Sequence, residues 1–394
     1  MIRSVLALTV ILATLSIATA SDFRDPLPLV SSGQPIDVEH EGHAAPFVGD
    51  FDGDGREDLL VGEAYTGRLR IYQNVGTGHE HRFDGFSLFL DGDKDGCISP
   101  PQGSFRPQLV DFDGDGDTDI IAGNLFGDVI LFERSSHETF LPGRLLTRTD
   151  GDRLRLGNST MVFAVDWDAD KDLDLIAGSH DGLFLVRNLG TRTSFEPAER
   201  EFLEADGEPI ASRAQYFCPT VVDWDSDGLP DILCGYRDGS VRWFRNTGTP
   251  TEPQLRRAGV LIPAPEEGDD RGKTARICVT DWNKDGYLDL VLGDSGEKFF
   301  RALTDRERKD RADAVDRQHL LLTFWGRQFR QLRETDSRRK AEPLKARLWE
   351  ARMRDLHATL AKINRAREKA RRHVASLGGG ERVHGRVWLF IRKP

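Results

Sequence analysis

The stretch "DFDGDGREDLLVG", residues 50–62, sets four aspartates within nine positions, turns on two glycines, and runs into apolar residues that close on a third glycine. It recurs. "DFDGDGDTDIIAG" begins at Asp111, "DWDADKDLDLIAG" at Asp166, "DWDSDGLPDILCG" at Asp223 and "DWNKDGYLDLVLG" at Asp281, so successive copies start 61, 55, 57 and 58 residues apart. A period of this size marks a supersecondary unit copied in tandem, and it overrides the two or three domains that a length of 394 residues alone suggests.

The surroundings of each copy repeat as well. An apolar stretch such as "APFVGDF" or "CPTVVDW" enters the acidic loop, and a short one such as "DLLVG" or "DILCG" leaves it. A glycine-containing turn and a second apolar run follow: "GRLRIYQN", "GDVILFER", "GLFLVRN", "GSVRWFRN". Three copies continue into Asn-x-Gly-Thr, at Asn74, Asn188 and Asn246. Short β-rich runs separated by Gly, Asp and Asn turns describe an up-and-down sheet of about four strands per unit, and such units in a row fit propeller blades.

The pattern D-x-D-x-D-G-x-x-D-[LI]-x-x-G, present five times in register with small departures, resembles the FG-GAP or VCBS repeat proteins, related to the integrin α-subunit propeller. The resemblance covers roughly residues 22–300 and the final strand. It implies a β-propeller with a calcium ion in each acidic hairpin loop, usually on the lower rim. Integrin-type propellers have seven blades. Here the spacings leave no room for a blade between copies, which favours a five-bladed ring or an incomplete one. The expected fold class is therefore all-β, a five-bladed β-propeller of four-stranded blades with an α-helical hairpin inserted in the last blade.

The loop chemistry points to the same cation. Four carboxylates so close together repel one another, and the loop is costly to fold unless a cation sits among them. Oxygen ligands at positions 1, 3 and 5, a glycine at 6 and a backbone carbonyl at 7 match the first half of an EF-hand loop, with Asp at position 9 in place of the distant bidentate Glu. Calcium accepts six to eight flexible oxygen ligands, whereas magnesium demands a tighter octahedron. The candidate side-chain ligands are Asp50, Asp52, Asp54 and Asp58; Asp111, Asp113, Asp115 and Asp119; Asp166, Asp168, Asp170 and Asp174; Asp223, Asp225, Asp227 and Asp231; and Asp281, Asn283, Asp285 and Asp289. Lys171 replaces the turn glycine of the third loop, and Asn283 leaves the fifth one charge short. Residues 91–96, "DGDKDG", read as an ordinary turn, because position 9 there is Ser99. The aromatic at loop position 2 (Phe51, Phe112, Trp167, Trp224, Trp282) points away from the metal side of its strand and is expected to pack between blades.

Charge divides the chain. The full sequence carries a net −11, yet residues 301–376 hold 22 Lys and Arg against 11 Asp and Glu. Loss of Arg3 with a leader leaves −12, and five calcium ions bring this to about −2, so the acidity is mostly metal-site chemistry. Residues 1–20, with Arg3, an apolar core and Ala18-Thr19-Ala20, have the pattern of a cleaved secretory signal, and no later stretch is apolar and long enough to span a bilayer. A secreted or periplasmic location follows as an expectation. Cys97, Cys218, Cys234 and Cys278 are too few for a disulfide scaffold, although an oxidising compartment allows one or two bridges.

The expected domains are the signal at residues 1–20, propeller blades at 21–300, an inserted basic helical hairpin at 301–380, and a closing strand at 381–394. Helical periodicity begins near Thr304, with a capping box to Glu307, and "LGGG" ends it at residues 377–380. In the first four copies the closing glycine is followed four or five residues later by the glycine of the next strand; in the fifth, Gly293 finds its match only at Gly385. "GRVWLFIRKP" is thus the third strand of the last blade, and the N-terminal stretch around residues 23–36 supplies the outer one.

No catalytic signature stands out: there is no Gly-x-Ser-x-Gly, no His-Glu-x-x-His and no Cys–His pair. His40 with His43, and His79 with His81, lie in polar turns and read as surface histidines. The expected function is a secreted calcium-binding, non-catalytic binding, scaffold or adhesion-like module. Its partner would be an extracellular or periplasmic protein or a polysaccharide, with an anionic polymer a candidate for the basic hairpin and nucleic acid not expected. The alternative is an extracytoplasmic carbohydrate-active enzyme, a glycoside hydrolase or polysaccharide lyase, on a propeller scaffold. That alternative needs two acidic residues outside the calcium loops converging on one pocket, with Glu63 the place to look.

Overall fold

A computed structural model describes residues 22–38, 43–63, 67–78, 80–89, 106–136, 139–212, 216–266, 269–299 and 381–394. Each repeat forms an antiparallel sheet whose strands are taken here as inner, second, third and outer. The first blade runs Ala44–Gly49, Asp58–Glu63, Leu69–Tyr72, Ser87–Leu88, and the second Arg106–Val110, Asp119–Gly123, Val129–Phe132, Arg144–Leu145. The third is Met161–Val165, Asp174–Gly178, Leu183–Val186, Glu201–Phe202, and the fourth Phe217–Val222, Asp231–Tyr236, Val241–Asn246, Leu255–Ile262. No α-helix occurs among the described residues.

The fifth blade is assembled from both ends of the chain. Its inner and second strands are Lys273–Thr280 and Asp289–Phe299. Val387–Phe390 pairs with the second strand in the register Leu290↔Phe390 to Gly293↔Val387, and Leu27–Pro28 pairs on the outside, Leu27 opposite Leu389. The expected clasp is present, although the N-terminal outer strand is shorter than the 23–36 stretch; a bridge between Phe23 and Arg392 extends it.

The division of the chain into two units falls after Gly296 and after Val383, inside the strands Asp289–Phe299 and Glu381–His384, which pair. The expected helices at 301–380 fall outside the described residues, as do the leader, Cys97 and the turn at 91–96. The described strands on either side of that segment, Asp289–Phe299 and Val387–Phe390, are neighbours in the last blade.

Burial follows from sandwiching each blade between two others. All residues of Asp58–Glu63, Asp119–Gly123, Asp174–Gly178 and Asp231–Tyr236 are buried, because both faces of a second strand meet a neighbouring blade. The apolar core is accordingly five separate seams. Leu60, Leu69 and Ile71 meet Ile120 and Ile130 between the first and second blades, and Leu59, Val61 and Tyr72 meet Val291 and Leu389 across the closure. Equivalent clusters fill the other three seams.

In four of the five repeats the glycine that ends the motif sets the distance between blades. A Cβ on Gly123, Gly178, Gly235 or Gly293 would lie 2.2, 1.9, 2.3 or 2.2 Å from a backbone oxygen of the next blade, at Thr160, Phe217, Ala275 and Ala44 respectively. Gly293 against Ala44 joins the last blade to the first, so the ring is closed.

Candidate metal centres

The acidic loop connects the inner to the second strand of every blade, placing all of them on one face of the ring. Its backbone is shaped by two left-handed residues. Position 6 has positive φ at Gly55, Gly116, Lys171, Gly228 and Gly286, and position 4 does so at Gly53, Gly114, Ala169, Ser226 and Lys284. The resulting turn aims backbone N–H groups at the position-1 carboxylate: Asp50 accepts from Gly53, Asp54 and Gly55 at 2.7, 3.1 and 2.9 Å, and Asp281 accepts from Asp285 and Gly286 at 3.0 and 2.9 Å.

Four of the loops bring three carboxylates together, with one oxygen of each within 4.8 Å of the others: Asp50, Asp52 and Asp58; Asp111, Asp113 and Asp115; Asp166, Asp168 and Asp170; Asp223, Asp225 and Asp231. Asp54, Asp119, Asp174 and Asp227 sit in the same loops outside these triplets. In the fifth loop Asn283 donates to Asp285 at 2.9 Å, and Asp281 and Asp289 complete the set.

Position 9 also has a structural role. One oxygen of Asp58, Asp119, Asp174, Asp231 and Asp289 accepts the N–H of the residue just after the third strand's apolar run: Asn74 at 2.7, Arg134 at 2.9, Asn188 at 2.7, Asn246 at 2.6 and Arg392 at 2.8 Å. In four blades the other oxygen accepts the N–H of the position-2 aromatic, from Phe51, Phe112, Trp224 and Trp282. Position 9 therefore ties loop, second strand and third strand together. Arg392 in this role places the C-terminal strand in the fifth blade independently of the sheet register.

The third loop holds an extra acid. Asp172, at position 7 where the sequence pattern assigns only a carbonyl, is buried, and Oδ1 of Asp166, Asp168 and Asp172 and Oδ2 of Asp174 have no hydrogen-bond donor. Asp225 Oδ1 in the fourth loop is in the same condition. Burial first, and then neighbouring carboxylates, push Asp172 up to about 6; burial is also the largest cause for Asp119 and Asp174, at about 6, and for Asp231, at about 7. Buried oxygens without donors, among groups that repel one another, fit a hard cation.

Neighbouring basic groups hold the loops from outside. Arg134 of the second blade donates to the Phe51 carbonyl at 2.8 Å, Arg192 of the third to the Asp111 carbonyl at 2.5 Å, and Arg392 of the fifth to that of Trp224 at 3.2 Å. Arg245 pairs with Asp225 and Asp227 at 2.5 and 2.9 Å, and Arg187 pairs with Asp168. The position-2 aromatics pack across seams as expected: Phe51 stacks with Phe140 at 5.7 Å, Phe112 meets Phe195 at 5.3 Å, and Trp282 stacks on His81 at 3.9 Å.

The histidines differ from the expectation. His81 is buried against Trp282 and faces Glu57, which also binds Lys284 across the closing seam. His43 is partly buried with Arg276 3.3 Å from its Nδ1. Neither is a surface residue, because the turns that carry them are covered by the adjoining blade. His40 and His79 lie outside the described residues. Glu63 is buried and bonded by Arg70 at 2.6 Å. Cys218, Cys234 and Cys278 are buried free thiols.

The family model for the FG-GAP-like repeat matches residues 50–122 and 223–292. A comparison with curated proteins gives no significant match. Among solved structures, an Agrocybe aegerita lectin described by its specific recognition of non-reducing terminal N-acetylglucosamine aligns at 20% identity and a TM-score of 0.35, covering 66% of this chain and 61% of its own. The Tc holotoxin pore of Photorhabdus luminescens aligns at 15% identity and a TM-score of 0.36, covering 70% of this chain and 14% of its own. The chain thus spans less than two thirds of either. Among the described residues no helix is long and apolar enough to cross a membrane. With one acidic loop per blade, a closed set of five blades and the repeat matched at two stretches, the chain is a five-bladed β-propeller carrying FG-GAP-like repeats.

Proposed function

We propose that the protein is a calcium-stabilised, non-catalytic binding or scaffold module acting outside the cytoplasm, toward an extracytoplasmic protein or polysaccharide. The observation that carries the calcium reading is the third loop, where four carboxylate oxygens are buried without donors around one turn. The residues that hold the ion are those at loop positions 1, 3, 5 and 9, joined by Asp172 in the third loop; the fifth loop, with Asn283, binds less tightly. Calcium supplies the positive charge that these loops lack, and hard oxygen ligands on a flexible turn suit it better than magnesium. The location rests on the leader pattern at residues 1–20. The non-catalytic reading is supported by Glu63, the acidic residue singled out for an enzyme, being engaged by Arg70.

Chelation tests the reading. A ligand at a hundred times its Kd stabilises by about 2.7 kcal/mol per site, so EDTA is expected to lower the melting temperature by many degrees, with calcium restoring it and equimolar magnesium not. A melting temperature indifferent to EDTA and calcium overturns the calcium-site assignment.

A further inference from the structure

In every blade one third-strand residue stands opposite position 9 of the acidic loop. The second and third strands pair as far as Leu59↔Tyr72, Ile120↔Phe132, Leu175↔Val186, Ile232↔Phe244 and Leu290↔Phe390. The next residue along is Gln73, Glu133, Arg187, Arg245 and Ile391 in turn. Its backbone is pinned alike in all five blades, because the N–H one residue further on binds position 9. Its side chain differs from blade to blade: neutral, acidic, basic, basic and apolar.

Where this side chain is polar, it acts on the carboxylate at loop position 3. Gln73 donates to Asp52 Oδ2 at 2.9 Å. In the second blade burial pushes the Asp113 carboxyl up, and the charge of Glu133 adds to it. In the third and fourth, Arg187 pairs with Asp168 and Arg245 with Asp225.

The two arginines bind in one way. Each takes Oδ2 of the position-3 aspartate, while Oδ1 of the same carboxylate is buried and has no donor. Asp168 and Asp225 both belong to the triplets whose oxygens converge. One oxygen of each is thus turned to a fixed cation of the protein, and the other is left for a bound one. Arg245 also pairs with Asp227, at position 5, at 2.9 Å, so it answers two of the acids of the fourth loop. Its side chain is 22% exposed, against 48% for Arg56 and 35% for Arg192, which pair with Asp54 and Asp111 in the first and second loops. The charge of Arg245 is therefore the least screened by solvent of these. Arg187 divides its charge with Glu201 of the outer strand at 3.3 Å, whereas the residue opposite Arg245 is Arg256.

We propose that the residue opposite position 9 grades how tightly each loop holds its cation, with Arg187 and Arg245 acting as resident counter-charges that weaken the third and fourth loops. A fixed positive charge beside the ligands repels an incoming divalent ion, and it relieves the repulsion among the carboxylates when that ion leaves. These two loops are thereby suited to release and retake the ion with their shape kept. The proposal rests on the calcium reading of the loops and names the residue that tunes them.

The test is calorimetric titration of the full chain, stripped with EDTA and desalted, with calcium chloride. Arg245→Gln is expected to tighten one site about tenfold, the scale of a unit charge a few ångströms from a divalent ion near the surface. Arg245→Lys, which keeps the charge, stays close to the parent. In an Asp223→Asn, Asp227→Asn background, where the fourth loop has lost two ligands, Arg245→Gln changes no affinity. Gln73→Arg, the reciprocal change in the first blade, weakens one site by a similar factor. Loss of a merely structural residue lowers affinity, so a gain separates the two roles. Melting in calcium confirms that each variant folds, and Arg187→Gln carries the same expectation at the third loop should Arg245→Gln not fold. A gain that survives in the double-Asn background overturns the proposal. If the parent takes up no calcium and melts alike with and without EDTA, the calcium reading falls and the proposal with it. If the parent binds calcium and the folded glutamine variants bind it no more tightly, the proposal alone falls.

Discussion

Lys171 occupies the position-6 turn of the third loop with φ of 80°, where the other four loops have glycine. A side chain in this region costs about 1 kcal/mol or more. Lys171→Gly is therefore expected to raise stability by about 1 kcal/mol in denaturant unfolding, and Lys171→Ala, which keeps the Cβ, to gain nothing. Equal gains from both would assign the effect to the lysine charge. His43 gives a pH dependence at the same scale. Its folded-state value of about 3 lies below the ordinary 6.5, so the unfolded chain takes the proton first and stability falls as pH drops below 6.5 toward 3. The expected loss at pH 5 is about 2 kcal/mol, and His43→Asn, which tolerates the positive φ there, should remove it. An unchanged slope between pH 7 and pH 5 in the variant refutes this role. Sequence marked the loop carboxylates at this scale but concealed position 4, where Gly53 and Gly114 share a left-handed backbone with Ala169, Ser226 and Lys284. Asp172 was missed because a position-7 residue contributes a carbonyl in the general pattern, and only its burial reveals the extra acid.

At the scale of the strand and blade, the final glycine of each motif was legible as punctuation, while its cause was not. The atom that forbids a side chain belongs to the next blade, so no local pattern records it. Gly235→Ala would put a methyl 2.3 Å from the Ala275 carbonyl, and should cost about 3 kcal/mol because backbone rather than a side chain must move. Gly55→Ala serves as the contrast: its φ is 84° but it has open space around it, and its cost should stay near 1 kcal/mol. Similar losses in urea unfolding would mean that close approach between blades is not what the motif protects. A buried arginine escaped sequence reading for a related reason. Arg106 lies in a run, "RPQLVDF", that reads as any strand entry, and its three partners, Val162, Thr220 and Ile277, come from blades distant in the chain.

For the molecule as a whole, stability is distributed over five seams with no central core, and each blade contributes to two of them. Losing one strand at the closure therefore weakens two interfaces. Removing residues 387–394 strips the third strand from the fifth blade, frees Leu27–Pro28, and leaves Asp289 without the Arg392 N–H. The truncated chain should melt well below the full-length protein in a single transition; a melt that matches the parent would show the ring to be stable when open. The number of blades and the place of the strand Val387–Phe390 were readable because repeat spacing counts units directly, and Gly293 finds its counterpart only at Gly385.

The same clasp dictates an order of events. The strand containing Leu27 is among the first parts of the propeller to be synthesised, and its partner containing Leu389 is among the last. Four blades can form from neighbouring segments, each joining strands close in sequence, but the fifth must wait until the strand containing Leu389 has been made. Contacts of such long sequence separation form late and slowly, so the nascent propeller remains an open arc until its last strand reaches its first.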